Sequence, residues 1–285
     1  MARRFGVLTT CSAGGWDEYG SRMVESCLKF LPEGVRLYLY TDFKVRRPSD
    51  RLVVRKIPEV CPDLVEFQNT HGVFDFATGG GVAESQHDTA YNSHIIWNAL
   101  KFSHKVFTVE HAVLNAEDED VMVWLDADTL AFDRLDQDLL EATIPASCML
   151  GYLGRSWKYS ECGYVAYNLG HPATRMFASA MASMYKSGSV YSLKEWHDSY
   201  VFDVMREFFE RNLGVQNHNI SRDVAEFDHV FVNCELGRRL DHLKGPRKAQ
   251  GRSRARDLHT HDDIAYWQVP PSDADGPPVA GTDLE

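Results

Sequence analysis

The chain of 285 residues has no long apolar run, no paired cysteine motif and no excess of positive charge. A membrane-spanning helix needs about 20 consecutive apolar residues, and no segment reaches this length. The six cysteines are scattered without a CxxC pair, which argues against a zinc or disulfide framework and indicates reduced thiols. The formal net charge of -11 argues against general nucleic-acid binding.

Internal repeats are also absent, which argues against solenoids and propellers. The first residues lack the apolar region and cleavage site of a signal peptide, so we expect a cytoplasmic protein without a transmembrane segment. At 44% hydrophobic content the chain can bury one large core. Residues 268–285 are rich in Pro, Gly and Asp and too poor in apolar residues to offset their ordering entropy. We therefore predict one domain over residues 1–267 and a disordered tail over 268–285.

Short apolar runs alternate with amphipathic stretches along the domain, which predicts an α/β fold. The Gly-rich stretch 70–87 predicts a flexible substrate loop ahead of a helix through Ile95 and Leu100. Strands are predicted at 5–10, 35–40, 52–57, 121–125, 148–153 and 163–167, and further helices at 19–30, 135–142, 173–185 and 199–212.

The strand predicted at 121–125 ends in two acids one residue apart, Asp126 and Asp128. Side chains alternate along a strand, so both carboxylates project on one face at its carboxyl end, where open α/β sheets bind ligands. A Mg²⁺ or Mn²⁺ ion bound to substrate phosphates would relieve their mutual repulsion. An acidic turn or helix cap explains an isolated DxD equally well, so both interpretations stay open at this point.

A second motif, HxxGxxK, consists of His242, Gly245 and Lys248. The histidine offers a nitrogen to a metal, the glycine lets the backbone approach phosphate, and the lysine supplies positive charge. Taken alone, this spacing is more typical of a solvated surface turn.

The DxD after an apolar strand, followed about 115 residues later by HxxGxxK, resembles the glycogenin-like and lipopolysaccharide-galactosyltransferase-like retaining glycosyltransferases of the GT-A fold. This resemblance implies a Rossmann-like mixed central sheet flanked by helices. It also implies transfer of a sugar from a nucleotide-sugar donor, such as a UDP-sugar, to a glycan, lipid-linked or protein acceptor. The implied Mn²⁺ or Mg²⁺ ligands are Asp126, Asp128 and His242, with Gly245 and Lys248 at the diphosphate.

The resemblance extends in weaker form over residues 5–250 and implies further site residues. Asp198, preferred over Asp203, and Glu161 would be the carboxylates near the reacting sugar. The implied donor-binding residues beyond the motifs are Thr9, Thr10, Tyr19, Asp42, Lys101 and Asn168.

Two positions depart from the family pattern. Ala249 and Gln250 stand where the family has Pro and Trp after the lysine, and Ser199 and Tyr200 follow Asp198 where the family has an Asp Gln pair. The subfamily and the retention of anomeric configuration are therefore open on sequence alone.

Three other functions remain open. A nucleotidyltransferase acting on a sugar phosphate would use the same carboxylates and metal, although the HxxGxxK element argues against it. A metal-dependent hydrolase would use the ligand-rich run that contains His259 and His261. A noncatalytic nucleotide-sugar-binding module would keep the fold for scaffolding. In such a module the basic stretch 247–256 could contact phosphates, an anionic glycan or a membrane surface, and we expect its first two residues to serve the donor.

Overall fold

A computed structural model describes residues 2–45, 49–79, 97–245 and 247–269 of the chain. Residues 80–87 of the predicted Gly-rich loop, the start of the helix predicted through Ile95, and all but the first two residues of the predicted tail lie outside the described residues.

Strands in the described ranges form two sheets. The larger sheet has seven strands in the order β3-β2-β1-β4-β7-β6-β8, and the smaller one pairs β5 with β9. The strands are β1 (Phe5–Thr10), β2 (Arg36–Thr41), β3 (Leu52–Lys56), β4 (Val121–Leu125), β5 (Thr129–Ala131), β6 (Leu150–Leu153), β7 (Glu161–Asn168), β8 (His218–Asn219) and β9 (Leu240–His242).

The seven-stranded sheet is mixed. β1, β2, β3 and β4 are parallel to one another, whereas β7 runs antiparallel to both of its neighbours, β4 and β6. The carboxyl end of β4 therefore lies beside the amino end of β7. The predicted α/β class with a mixed central sheet flanked by helices is confirmed.

Helices cover both faces of this sheet. Among the described residues, no helix combines the length and apolar character that crossing a lipid bilayer requires. The helices are α1 (Ala13–Gly15), α2 (Ser21–Phe30), α3 (Ile57–Val60), α4 (Pro62–His71), α5 (Ala99–Leu114), α6 (Gln137–Ala142), α7 (Thr174–Lys186), α8 (Asp198–Leu213), α9 (Val230–Asn233), α10 (Arg247–Gln250) and α11 (Ala265–Gln268), with a π-helical turn at Trp16–Gly20 between α1 and α2.

The alternation of side chains along buried strands builds two apolar layers. Val7 of β1 packs with residues of α2 and α6, whereas its neighbour Leu8 packs with Trp124 and with residues of α5, α7 and α8. Successive residues of the central strands β1, β4 and β7 are thus buried on alternate sides of the sheet, which explains their nearly continuous apolar runs in the sequence.

Element boundaries differ from the predictions at two places that matter for the site. The helix predicted at 19–30 is preceded by α1 and a π-helical turn, and the hydroxyl of Ser12 caps this earlier start by accepting from the Gly15 amide at 3.1 Å. The strand predicted at 163–167 is longer, so Glu161 and Asn168 form its two ends.

Gly151 in β6 packs closely against the backbone of Thr143. A Cβ at this position would overlap the carbonyl oxygen of Thr143 and lie 3.1 Å from its carbon. We expect Gly151→Ala to lower the free energy of unfolding by about 1–3 kcal/mol, as overpacking of a filled site does. Urea denaturation measures this. Gly34→Ala is the matched control, since a Cβ there meets no atom within 4 Å, and equal midpoints for the two variants would contradict the packing described.

Candidate functional site

The acids of the DxD lie in the short turn that connects β4 to β5. The amide of Asp126 donates to the Gly163 carbonyl at 2.9 Å, and the amide of Thr129 donates to the Asp126 carbonyl at 3.0 Å. The turn holds both carboxylates at the carboxyl end of β4, with side-chain exposures of 30% for Asp126 and 10% for Asp128. The indole of Trp124 further orients Asp126 by donating to its Oδ1 at 2.6 Å.

His242 reaches these acids through the small antiparallel sheet. In the β5–β9 register, Thr129 lies opposite His242, and the Leu243 amide donates to the Asp128 carbonyl at 2.9 Å. The imidazole is buried, and its Nε2 lies 3.2 Å from Asp128 Oδ1 and 3.5 Å from Asp126 Oδ2. A pairing of only three residues therefore joins the two sequence motifs.

The three side chains have the geometry of a cation site. One ligand atom from each of Asp126, Asp128 and His242 lies within 4.8 Å of the others, and the structure as described contains no second group of this kind. Atoms that share one Mn²⁺ or Mg²⁺ at about 2.1 Å are separated by roughly 3 to 4 Å, which the measured distances match. The two carboxylates are ligand types that suit both ions, whereas the imidazole is a ligand of transition metals and so favours Mn²⁺ over Mg²⁺.

Gly163 gives the imidazole its space. A Cβ on this residue would lie against His242 Cε1 and 2.7 Å from Nδ1. The backbone of His242 is fixed from behind, since its carbonyl pairs with His229 Nε2 at 3.0 Å and accepts from the Ser253 hydroxyl at 3.3 Å. The glycine in β7 is thus required by close approach of a side chain.

Charge interactions dominate the protonation of the three ligands. Burial raises the pKa of Asp126, but Lys105 and His242 outweigh it and hold this pKa below its usual range. Burial lowers the pKa of His242, yet the carboxylates of Asp128 and Asp126 raise it to about 9. The imidazole therefore carries a proton at neutral pH, and a bound cation would take the place of that proton.

Two lysines flank the carboxylates from opposite sides. Lys105 Nζ lies 2.7 Å from Asp198 Oδ2 and 3.4 Å from Asp126 Oδ1. Lys248 Nζ lies 3.3 Å from Asp128 Oδ2 and 5.1 Å from the centre of the Tyr19 ring. The site thus combines a carboxylate pair with two ammonium groups.

Glu161, at the amino end of β7, forms the side of the site next to His242. Its carboxylate pairs with Lys244, lies 3.7 Å from Arg155 Nη1 and lies 3.6 Å from His242 Nδ1. Burial and the neighbouring Arg155 lower the pKa of Lys244 well below its usual value. Arginine keeps its proton more readily than lysine, so Arg155 supplies the positive charge beside Glu161.

Most of the residues singled out in the sequence come together here. Tyr19 in the π-helical turn contacts Lys248, and Gly245 adopts a left-handed conformation with φ of 54° between the histidine and that lysine. Asp198 is the first residue of α8 and lies beside Lys105. Asp203 accepts hydrogen bonds from the amide and the hydroxyl of Ser160 at 2.7 and 2.6 Å and so attaches the loop before β7 to α8.

The remaining predicted donor residues lie at different distances from this centre. Asn168 is at the far end of β7, opposite Val121, where its amide donates to the carbonyls of Ala146 and Cys148. A strand rises about 3.3 Å per residue, so Asn168 lies roughly 20 Å from Glu161. The structure therefore separates Asn168 from the carboxylates that the sequence analysis grouped with it, because one strand carries Glu161 and Asn168 at opposite ends.

Thr9, Thr10 and Asp42 lie on β1 and just after β2. Thr9 is buried within β1, the Thr10 hydroxyl donates to the Tyr40 carbonyl at 2.9 Å, and Asp42 is exposed. Lys101 is also exposed, and its ammonium lies over the Phe102 ring.

Sequence reasoning missed Lys105 and Lys244. Lys105 follows Lys101 by one helical turn, and the signal that separates them is its place among the buried positions Val106 and Val109 of α5. Lys244 occupies a variable position of HxxGxxK, where no pattern pointed to a site residue.

The ligand-rich run near the carboxyl end does not form a second cation cluster in the described structure. The His259 ring stacks on Phe227 at 4.4 Å, and His261 Nε2 lies 2.8 Å from the Cys234 carbonyl. In the basic stretch, Arg247 forms a bidentate pair with Asp257 at 2.7 and 2.6 Å. These contacts attach the carboxyl-terminal segment to the domain.

No known family model and no curated protein matches the chain. Solved structures with a similar backbone fold include mouse xyloside xylosyltransferase 1 in its apo form, with 9% identity, a TM-score of 0.44 and coverage of 77% of this chain and 85% of that one. Another is a glycosyltransferase involved in the glycosylation of the major capsid of PBCV-1, with 10% identity, a TM-score of 0.43 and coverage of 87% and 98%. At these values the likeness is coarse and carries no conclusion on chemistry.

Proposed function

We propose that this protein is a metal-dependent glycosyltransferase of GT-A type that moves a sugar from a nucleotide-sugar donor, a UDP-sugar, to a glycan or other acceptor with retention. The observation that carries the proposal is the convergence of Asp126, Asp128 and His242, whose ligand atoms lie within 4.8 Å of one another. These residues come from two motifs about 115 positions apart, and their meeting supports the metal-bound diphosphate that the motifs imply.

Asp126, Asp128 and His242 would hold Mn²⁺ or Mg²⁺. When bound, the cation would act as a Lewis acid that offsets the negative charge developing on the departing diphosphate. The chain itself supplies further positive charge at the same place, since Lys248 Nζ lies 3.3 Å from Asp128. Fixed ammonium groups of this kind stabilise a transition state because they need no reorganisation as charge develops.

The cation and Lys248 would act on the diphosphate, and the carboxylates of Asp198 and Glu161 would lie near the sugar at the other end of the breaking bond. Asp198 is hydrogen-bonded to Lys105 and retains lone pairs that can accept from sugar hydroxyls or face a positive anomeric carbon. Glu161 contacts Lys244 and Arg155, which supports a positioning role for it and leaves Asp198 as the stronger candidate.

In the transfer, an acceptor hydroxyl oxygen bonds to the anomeric carbon while the bond from that carbon to the diphosphate oxygen breaks. The electron pair leaves with the nucleoside diphosphate, and the hydroxyl proton passes to a departing phosphate oxygen. The residues of this chain would hold both partners in the orientation that the transfer needs.

The nucleoside would lie at the carboxyl ends of β1 and β2. Asp42 is exposed there, Tyr19 and Thr10 are half-buried, and Thr9 is buried. The contacts of Lys105 favour it over Lys101 as the basic residue on α5, and the far position of Asn168 favours a structural role for its amide.

Substitution of a metal-coordinating side chain should abolish the thermal stabilisation of the protein by the cation. For the unaltered protein we expect Mn²⁺ with UDP at about 100 times the dissociation constant to stabilise the fold by about 2.7 kcal/mol, seen as a rise of several degrees in Tm. Asp128→Asn and His242→Gln should lose this rise, as well as the slow release of nucleoside diphosphate from the preferred donor in a panel of nucleotide sugars.

His259→Gln is the matched control for His242→Gln, because His259 stacks on Phe227 away from the carboxylates. It should respond to Mn²⁺ and UDP as the unaltered protein does. A rise that survives His242→Gln, or no rise with any nucleotide and cation tested, would refute the proposed site.

The two lysines of α5 give a second test. We expect Lys105→Met to lower donor turnover by on the order of 100-fold, because it removes a buried positive charge between Asp126 and Asp198. Lys101→Met should cost at most a few-fold, since that ammonium is exposed. Steady-state nucleoside diphosphate release measures both, with Tm as the check on folding. The reverse ranking would assign the donor contact to Lys101.

A further inference from the structure

Aromatic rings lie beside the sugar-facing part of the proposed site. Phe102, Tyr159, His197 and Tyr200, which we call the ring cluster, come from α5, from the loop before β7 and from the start of α8. His197 lies 6.1 Å from Phe102 and 5.4 Å from Tyr159 between ring centres, and Tyr200 lies 5.0 Å from Tyr159. All four side chains are half-buried.

Each of the segments that supply these rings also supplies a charged residue of the site. Phe102 precedes Lys105 by less than one helical turn, Tyr159 precedes Glu161 by two residues, and His197 immediately precedes Asp198. The ring cluster is therefore continuous with the place where the donor sugar would lie, and it is separate from the nucleotide side that contains Tyr19 and Lys248.

A carboxylate fixes the orientation of two of these rings. Glu195 Oε1 accepts from the Tyr159 hydroxyl at 2.9 Å, and Oε2 lies 2.8 Å from His197 Nε2. A carboxylate has about four acceptor positions, so Glu195 can still accept hydrogen bonds from a ligand. Rings held in this way with an acceptor between them provide a prearranged surface for a molecule that has both C–H faces and hydroxyl groups.

The loop before β7 also carries Trp157, two residues before Tyr159 of the ring cluster. Three consecutive residues attach the loop to residues 225–228: the Ser156 amide donates to Ala225 at 2.9 Å, the Trp157 indole donates to Glu226 at 3.1 Å, and Lys158 Nζ lies 2.9 Å from Asp228 Oδ1. The indole N–H is thus satisfied while the side chain stays 55% exposed. The Lys158 ammonium lies over this ring at 4.6 Å from its centre, so one face of a large, fixed and exposed ring is left for a ligand.

We propose that the ring cluster, Glu195 and Trp157 form the acceptor site, and that the acceptor is a saccharide with more than one sugar unit. The inference rests on the proposed function, because it places the acceptor hydroxyl beside Asp198 and Lys105. The aromatic faces would cover the C–H faces of the sugar rings, and Glu195 would accept from their hydroxyl groups. Trp157 precedes Glu161 by four residues, a span of at most about 14 Å, which keeps its ring within reach of a second sugar unit outside the reacting one.

The test uses the full chain, fluorescently labelled, on a printed array of neutral and acidic oligosaccharides in the presence of Mn²⁺ and UDP. We expect binding to a defined subset of saccharides by the unaltered protein. Trp157→Ala and Tyr200→Ala should each lower the signal on that subset at least tenfold. Tyr159→Phe, which keeps the ring and removes the hydrogen bond to Glu195, should lower it less.

Phe208→Ala is the matched control, since Phe208 is 53% exposed on α8 and belongs to neither the site nor the ring cluster. It should leave the saccharide signal unchanged. A signal that survives Trp157→Ala and Tyr200→Ala alike, or that falls equally in Phe208→Ala, would overturn the proposal.

The thermal response of the same samples to Mn²⁺ and UDP separates the two proposals. A rise in Tm together with a blank array would overturn the saccharide acceptor site and leave the proposed function standing. A missing rise would remove the proposed function and, with it, this inference. A normal rise in Trp157→Ala would also show that its loss of saccharide binding does not come from misfolding.

Discussion

The negative charges of carboxylates shielded from water must be offset by positive charges, and this requirement determines which residues meet at the edge of the sheet where the site lies. An ionised carboxylate taken out of water without a partner costs several kcal/mol, and the four carboxylates of the proposed site each lie beside a basic group. These pairs link the DxD turn, α5, the start of α8 and the HxxGxxK segment into one network. The pairs are Asp126 and Asp198 with Lys105, Asp128 with His242 and Lys248, and Glu161 with Lys244 and Arg155.

The carboxyl-terminal segment supports this network from behind. Asp241, next to His242 on β9, is fully buried and accepts from the Ser253 amide at 2.8 Å, from the Ser253 hydroxyl at 2.5 Å and from the Tyr266 hydroxyl at 2.8 Å. These bonds tie β9 to the residues that follow it, so the imidazole is held by both the β5 pairing and the segment up to α11. The basic stretch 247–256 is attached to the domain through the pair of Arg247 with Asp257 and the hydrogen bonds of Ser253 to Asp241.

Sequence reasoning found the elements whose signals are local. The strand before the DxD was recognisable because five apolar residues end in two acids, and its structure follows the prediction. The position of His242 was reached through resemblance, since the β5–β9 register depends on pairing between distant residues that no local pattern encodes. Asn168 is a residue that the sequence analysis grouped with the site although it lies at the far end of β7. The direction of β7 relative to β4 decides which end of β7 is at the site, and the sequence of a single strand does not reveal that direction.

The late position of β9 also affects how the site is acquired during folding. Contacts between residues far apart in the chain form slowly, because the entropy of closing the intervening loop is lost before the contact stabilises anything. The carboxylate pair belongs to a strand in the first half of the chain, whereas its imidazole partner arrives only when the last quarter has docked. During synthesis, the acids at the end of β4 therefore exist for a time without their histidine, so uptake of a cation at the proposed site would report that the whole domain is assembled.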